Sequence, residues 1–366
     1  TLMAFMRAVR TTLSPELGID LGTANTVIYE RGTGVLVSEP SVVAYDISGG
    51  GERVIAVGAA AKEMEGRAPS RIRVVHPLRG GTISDFAAAH ILIETMVNRA
   101  SAARPRLLPR VVACVPGCAT DIECKAVEEA VAAAGARATT FLPQAVAAAL
   151  GAGLDITTNS GRMVVDIGGG TTEIAVLALS GVVAMHSVKV GGDYLDNAII
   201  SRLRHERFQI GALTAEALKI KLGFAGRPPG RAPLRISGFD NTAGAPRARE
   251  VSEALVGEAM AEGIDRITRA VWSVLEQTPP DLAADLLENG ITLTGGGAQI
   301  TGLAGELGLR TNVPTIVAPD PLECVARGAG EVLGIPTLLE RLGPSADRLT
   351  RWYQSLRIGM RESYSP

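Results

Sequence analysis

One pattern occurs twice in this chain, and it constrains the fold more than any other feature. Near the start stands Ile19-Asp20-Leu21-Gly22-Thr23-Ala24-Asn25-Thr26-Val27-Ile28-Tyr29. Far downstream stands Val165-Asp166-Ile167-Gly168-Gly169-Gly170-Thr171-Thr172-Glu173-Ile174-Ala175. Both read as strand, acidic residue, small-residue turn, threonine and strand, in the form D-x-G-x-x-x-T. Each predicts a hairpin whose turn lets backbone approach a ligand closely. A single Gly-rich turn is more often structural, but two copies with an Asp at the same place point to a shared purpose.

Backbone N–H groups in such turns, helped by Thr hydroxyls, can surround phosphate oxygens. The expected donors are Thr23, Ala24 and Asn25 beside Gly22, and Gly169, Gly170 and Thr171 beside Gly168. A carboxylate aimed straight at phosphate would be repelled. Asp20 and Asp166 make sense if a hydrated Mg²⁺ lies between, since that ion keeps its waters and bridges carboxylates to phosphates. Two hairpins from two domains would then hold one triphosphate from opposite sides. A third Gly-rich element, Ile291-Thr292-Leu293-Thr294-Gly295-Gly296-Gly297-Ala298, reads as a buried strand ending in a turn before a helical pattern from Ile300 to Leu307. By itself that turn serves a ligand or tight packing equally well; beside the two hairpins it supplies the expected third wall.

Composition narrows the classes. With 366 residues, 46% of them hydrophobic, the chain can bury one large or two ordinary cores. Aromatic residues are scarce at 4% and the formal net charge is −2 with no long basic run, so nucleic acid is not an expected partner. Cys114, Cys118, Cys124 and Cys324 match no zinc spacing and read as small buried residues in a reducing compartment. No apolar run is long enough to span a bilayer, and a cytoplasmic location is the simplest expectation. At the start, Leu2, Phe5, Met6, Val9 and Leu13 recur at helical spacing with Arg7 and Arg10 off that face. That pattern fits a helix in a membrane interface and equally a helix on the protein's own surface. After Pro336, Leu338, Leu339, Leu342, Leu349, Trp352, Tyr353 and Leu356 stand among arginines. A packed helix, a second membrane-surface helix and a loose basic tail all fit. Arg104 to Pro109 reads as a folded connector or a loop that dips apolar tips into lipid, and Gly226 to Arg249 as loops and a short strand.

These residues resemble the actin and heat-shock-chaperone ATPase superfamily and, within it, the MreB and Mbl proteins of bacteria. D-L-G-T-A-N-T at 20–26 and D-I-G-G-G-T-T-E at 166–173 resemble the two phosphate motifs. L-T-G-G-G-A at 293–298 resembles the adenosine motif, and D-P-L-E-C-V-A-R-G-A-G at 320–330 the second connecting segment. E-P-S-V-V-A at 39–44, C-V-P at 114–116, V-G-G-D at 190–193 and L-E-Q-T-P-P at 275–280 are similar too, so the likeness runs in order over about residues 17–335.

The resemblance implies an actin-like α/β fold, two similar ribonuclease-H-like domains around a nucleotide cleft that holds ATP and Mg²⁺. The implied divisions are an amphipathic segment 1–14, a first domain 15–152 with a small subdomain about 32–75, and a second domain 153–320. A return to the first domain over 321–336 and an extension 337–366 complete the chain. It also implies slow ATP hydrolysis, filaments in antiparallel pairs, attachment to the inner face of the cell membrane, and guidance of the machinery that builds cell wall. Asp166 would organise the hydrated metal, with Asp20 supporting it. Glu173 either helps orient the attacking water or is a polar residue on a strand edge, and Gly191, Gly192 and Asp193 start a helix with Asp193 near its N-cap. Gly295, Gly296, Gly297 and Ala298 would meet the adenosine, with Glu216 and Lys219 as further nucleotide contacts.

Two departures stand out. Gln144, in Pro143-Gln144-Ala145, occupies the place of a water-orienting Glu, as it does in actin's similar Gln-Ala-Val. A Gln can hold water by donating and accepting hydrogen bonds but cannot take a proton. Lys221 stands where a ribose-contacting Glu belongs. A metabolic phosphotransferase of the same fold is the alternative; it would need a carboxylate base beside an acceptor hydroxyl, and no Asp stands in the water-orienting place.

Overall fold

Short runs of Val, Ile and Leu punctuated by Gly and Pro build two five-stranded sheets, seen in a computed structural model that describes residues 14–102, 108–117 and 119–342. The amphipathic pattern of residues 1–13, most of the Arg104–Pro109 segment, Cys118 and residues 343–366 lie outside the described residues.

In the first lobe β1 (Glu16–Leu21), β2 (Asn25–Glu30) and β3 (Gly34–Pro40) form an antiparallel meander. The chain then leaves for a small sheet of β4 (Val43–Asp46), β5 (Arg53–Val57) and β6 (Ile72–Val75), followed by a short hairpin of β7 (Leu78–Arg79) and β8 (Thr82–Ile83). It returns as β9 (Arg110–Val115), parallel to β1, and β10 (Ala138–Pro143), parallel to β9. The small sheet therefore begins at Val43 rather than near residue 32, because Gly34–Pro40 pairs with β2 in the large sheet. Helices Phe86–Ser101 and Asp121–Ala133 cover the lobe, and the second starts with a capping box of Thr120 and Glu123.

The second lobe repeats the plan. β11 (Arg162–Ile167), β12 (Thr172–Ala178) and β13 (Gly181–Val188) form the meander. An excursion carries β14 (Phe208–Gln209), β15 (Leu234–Asp240) and β16 (Ala245–Val251), and then β17 (Ile291–Thr294) returns parallel to β11 with β18 (Thr315–Val317) beside it. The orders β10-β9-β1-β2-β3 and β18-β17-β11-β12-β13 are the same, so the duplication seen in two short motifs extends to whole sheets. Residues 226–249 hold more strand than expected, since two seven-residue strands form a full hairpin there. The predicted helix from Ile300 begins at Leu303, after Gly302 turns the chain through a left-handed conformation (φ +79°).

Two helices join the lobes. Gln144–Gly151 and Cys324–Glu331 cross in contact, and their cluster buries Val112 and Leu142 of the first sheet with Val164 and Leu177 of the second. Only glycine fits at the crossing: a Cβ on Gly151 would lie 1.7 Å from the Cys324 carbonyl oxygen, and one on Gly328 1.9 Å from that of Ala147. The helix Pro336–Leu342 buries Leu338, Leu339 and Leu342 against the same cluster, so this part of the chain end is a packed helix. Among the described residues no helix is long and apolar enough to cross a membrane, and Cys114, Cys124 and Cys324 are free and buried.

Candidate functional site

The same bond closes both motif turns. The Gly22 N–H donates to the Asn25 carbonyl at 3.1 Å, and the Gly168 N–H to the Thr171 carbonyl at 2.9 Å. The turns meet tip to tip: a Cβ on Gly169 would lie 2.7 Å from that of Ala24, and one on Gly170 2.5 Å from Thr23 Oγ1. These two glycines are thus required by the approach of the opposite hairpin.

Each hairpin is braced from its own lobe. Ser41, between β3 and β4, donates its hydroxyl to the Gly22 carbonyl at 2.7 Å, lies 2.9 Å from Thr26 Oγ1, and gives its N–H to the Ala24 carbonyl. In the second lobe the brace is the helix Gly192–His205, whose Gly192 and Asp193 N–H groups donate to the Gly168 and Gly169 carbonyls at 3.0 and 2.8 Å. The N-cap is Gly191, with Asp193 in the first turn, because a side chain on Gly191 would strike those same carbonyls. A third turn, Gly80–Gly81 between β7 and β8, touches both hairpins. The Gly81 N–H donates to Thr23 Oγ1 at 3.2 Å, and a Cβ there would lie 2.7 Å from Thr171 Cγ2.

The acids converge behind the turns. Asp166 is 1% exposed and accepts hydrogen bonds from Thr294 Oγ1 and Gln144 Nε2, both at 2.8 Å. Burial raises its pKa, against the pull of those two bonds. Burial and the charge of Asp166 push Asp20 up to about 8, as expected when two carboxyls share a water-poor space. Glu173 is fully buried, and burial pushes it up to about 7 even though Ser187 Oγ donates to it at 2.6 Å and the Gly117 N–H, from the other lobe, at 3.2 Å. It is no edge residue, for β12 runs between β11 and β13. Acids that resist ionisation beside backbone donors fit a site that is completed by a cation with an anion.

The other expected contacts divide. Gly295 (φ +78°) and Gly297 lie against Ile167, where a Cβ on either would come within 2.4 Å of its atoms, whereas Gly296 is exposed and Ala298 buried. Glu216 pairs with Lys62 at 2.7 Å and Lys219 with Asp196 at 2.7 Å. Lys221 is exposed in the last turn of the helix Ala212–Leu222. Ser41, Gly81, Ser187 and Thr294 carry no motif signal of their own. Only the surrounding stretches E-P-S-V-V-A and L-T-G-G-G-A marked two of them.

The profile of the MreB/Mbl protein family matches residues 14–341. The chain belongs to the MreB/Mbl family. The cell shape-determining protein MreB of Escherichia coli K12 is 42% identical over 332 residues, covering 90% of this chain and 96% of the relative. The cell shape-determining protein Mbl of Bacillus subtilis 168 is 40% identical over 319 residues, covering 87% and 95%. Among solved structures, MreB5 of Spiroplasma citri bound to AMPPNP superposes with a TM-score of 0.82 at 33% identity, over 90% of this chain and 99% of that one. The MamK double helical filament gives 0.73 at 25%, over 87% and 98%. The fold is therefore the actin-like one, and the family is that of the bacterial cytoskeletal, cell shape-determining MreB and Mbl proteins.

Proposed function

We propose that the chain is a slow, Mg²⁺-dependent ATPase that polymerises with ATP into paired antiparallel filaments at the inner face of the cell membrane, where they guide the wall-building machinery. The observation that carries this reading is the pair of opposed hairpins with Asp20 and Asp166 behind their tips. MreB5 bound to AMPPNP and to ADP, and MamK in a filament, support it by likeness.

Asp20 and Asp166 would hold Mg²⁺ through its waters, and the ion would offset charge on the phosphates. The turn N–H groups of residues 23–25 and 169–171 would orient the phosphate chain, with Gly295, Gly296, Gly297 and Ala298 at the adenosine end. Gln144 gives its amide N–H to Asp166, which leaves its oxygen to accept from a water. Glu173, held by Ser187 and Gly117, is the nearby group able to take a proton at neutral pH.

Incubation with Mg²⁺-ATP should yield pelletable filaments and slow phosphate release. Phosphate transfer to a small hydroxyl acceptor without filaments would instead assign the phosphotransferase chemistry. Retention of no nucleotide at all would overturn both.

A further inference from the structure

We propose that Lys62 and Glu216 form a latch that holds the two lobes closed on each other. Lys62 ends the short helix Ala59–Lys62, which rides on the small sheet with Ala61 packed among Val42 and Ala44. Glu216 lies on the helix Ala212–Leu222, whose Ala215 and Leu218 belong to the core of the second lobe. The two residues are 154 positions apart and share no core, yet Lys62 Nζ lies 3.0 and 2.7 Å from the two carboxylate oxygens. Among ion pairs between described residues, this one alone joins the small-sheet unit to the second lobe.

Both ends are anchored. The Ala59 N–H donates to Glu39 Oε2 at 2.7 Å, which ties the short helix to the large sheet of its own lobe. Beyond Glu216 on its helix, Lys219 is fixed to Asp196 and to the Gly192 carbonyl. The side chains of the latch are 27% and 32% exposed, so they are neither freely solvated nor sealed from water. Pairs in that range contribute modestly and are sensitive to salt. Parting the lobes must separate them, whereas motion inside either lobe leaves them untouched. Both carboxylate oxygens of Glu216 are engaged by Lys62, so the pair spans the two lobes directly.

The consequence for nucleotide dwell time rests on the function proposed above, and two readouts keep the ideas separable. In nucleotide-free protein, Lys62→Ala or Glu216→Ala should widen the molecule, read as a larger radius of gyration by small-angle X-ray scattering. The reversed pair Lys62→Glu with Glu216→Lys should restore it, while each reversal alone should be the most open form. With a fluorescent ATP analogue and Mg²⁺, either alanine variant should release nucleotide about five-fold faster. Added salt should speed release from the wild type and leave the variants nearly unchanged. Unaltered dimensions and release in both single variants, or reversed charges that fail to restore them, overturn the latch. Absence of nucleotide binding by the wild type would count against the proposed function, and the scattering series would still decide the latch.

Discussion

Asp20 and Asp166 occupy matching places in matching hairpins, yet they are held differently. Asp166 is fixed by Thr294 and Gln144, while burial and its neighbour's charge act on Asp20 and place its carboxyl at about 8 instead of the ordinary 3.8. Between those values the folded protein holds a proton that the unfolded chain has lost, so stability without ligand should fall as pH rises through that window. Asp20→Asn should flatten the decline, seen as converging urea midpoints at about pH 6 and about pH 8 in the absence of divalent cation; an unchanged decline would place its cause elsewhere. Gln144→Ala should lower ATP turnover by about ten-fold or more while nucleotide affinity changes little, which steady-state phosphate release and equilibrium titration can separate. An unchanged turnover removes Gln144 from the mechanism. The motif residues were legible because a turn is a local object, written in consecutive letters. Ser41 and Thr294 were not, because their partners stand 19 and 128 positions away and any hydroxyl could have served.

Among the elements, the crossing of Gln144–Gly151 and Cys324–Glu331 carries the most constraint. Gly328→Ala would press a methyl group against the Ala147 carbonyl, a backbone atom that cannot rotate aside. Such overpacking costs about 1–3 kcal/mol, and a melting temperature several degrees lower by calorimetry is expected. Equal melting of variant and wild type would show that the helices can slide apart. The two motif hairpins and the buried run Ile291–Thr294 made part of each large sheet readable, but boundaries moved where pairing decided them. Gly34–Pro40 joined the large sheet through β2, and Leu303 started its helix only after Gly302 had turned the chain. Glycines 295 and 297 illustrate the remaining ambiguity. A tight contact with Ile167 and a ligand contact ask for the same residue, so the letters alone could not separate the two demands.

For the molecule as a whole, repetition of the strand order turns one short pattern into two facing lobes. If the amphipathic pattern at the start serves attachment, deleting residues 1–12 should abolish co-sedimentation with anionic vesicles while Mg²⁺-ATP pelleting without lipid persists. Retained vesicle binding would move the attachment surface elsewhere on the chain. The two braces behind the hairpins differ in what they are fastened to. Ser41 stands at the entrance to the small sheet, the unit that also carries Lys62, whereas the helix behind Gly168 and Gly169 belongs to the same lobe as Glu216. A swing of the small sheet would therefore tug on the Asp20 loop and spare its counterpart. Under the function proposed above, a departing triphosphate would come loose on the Asp20 flank first and stay against the Gly168–Gly170 turn until last.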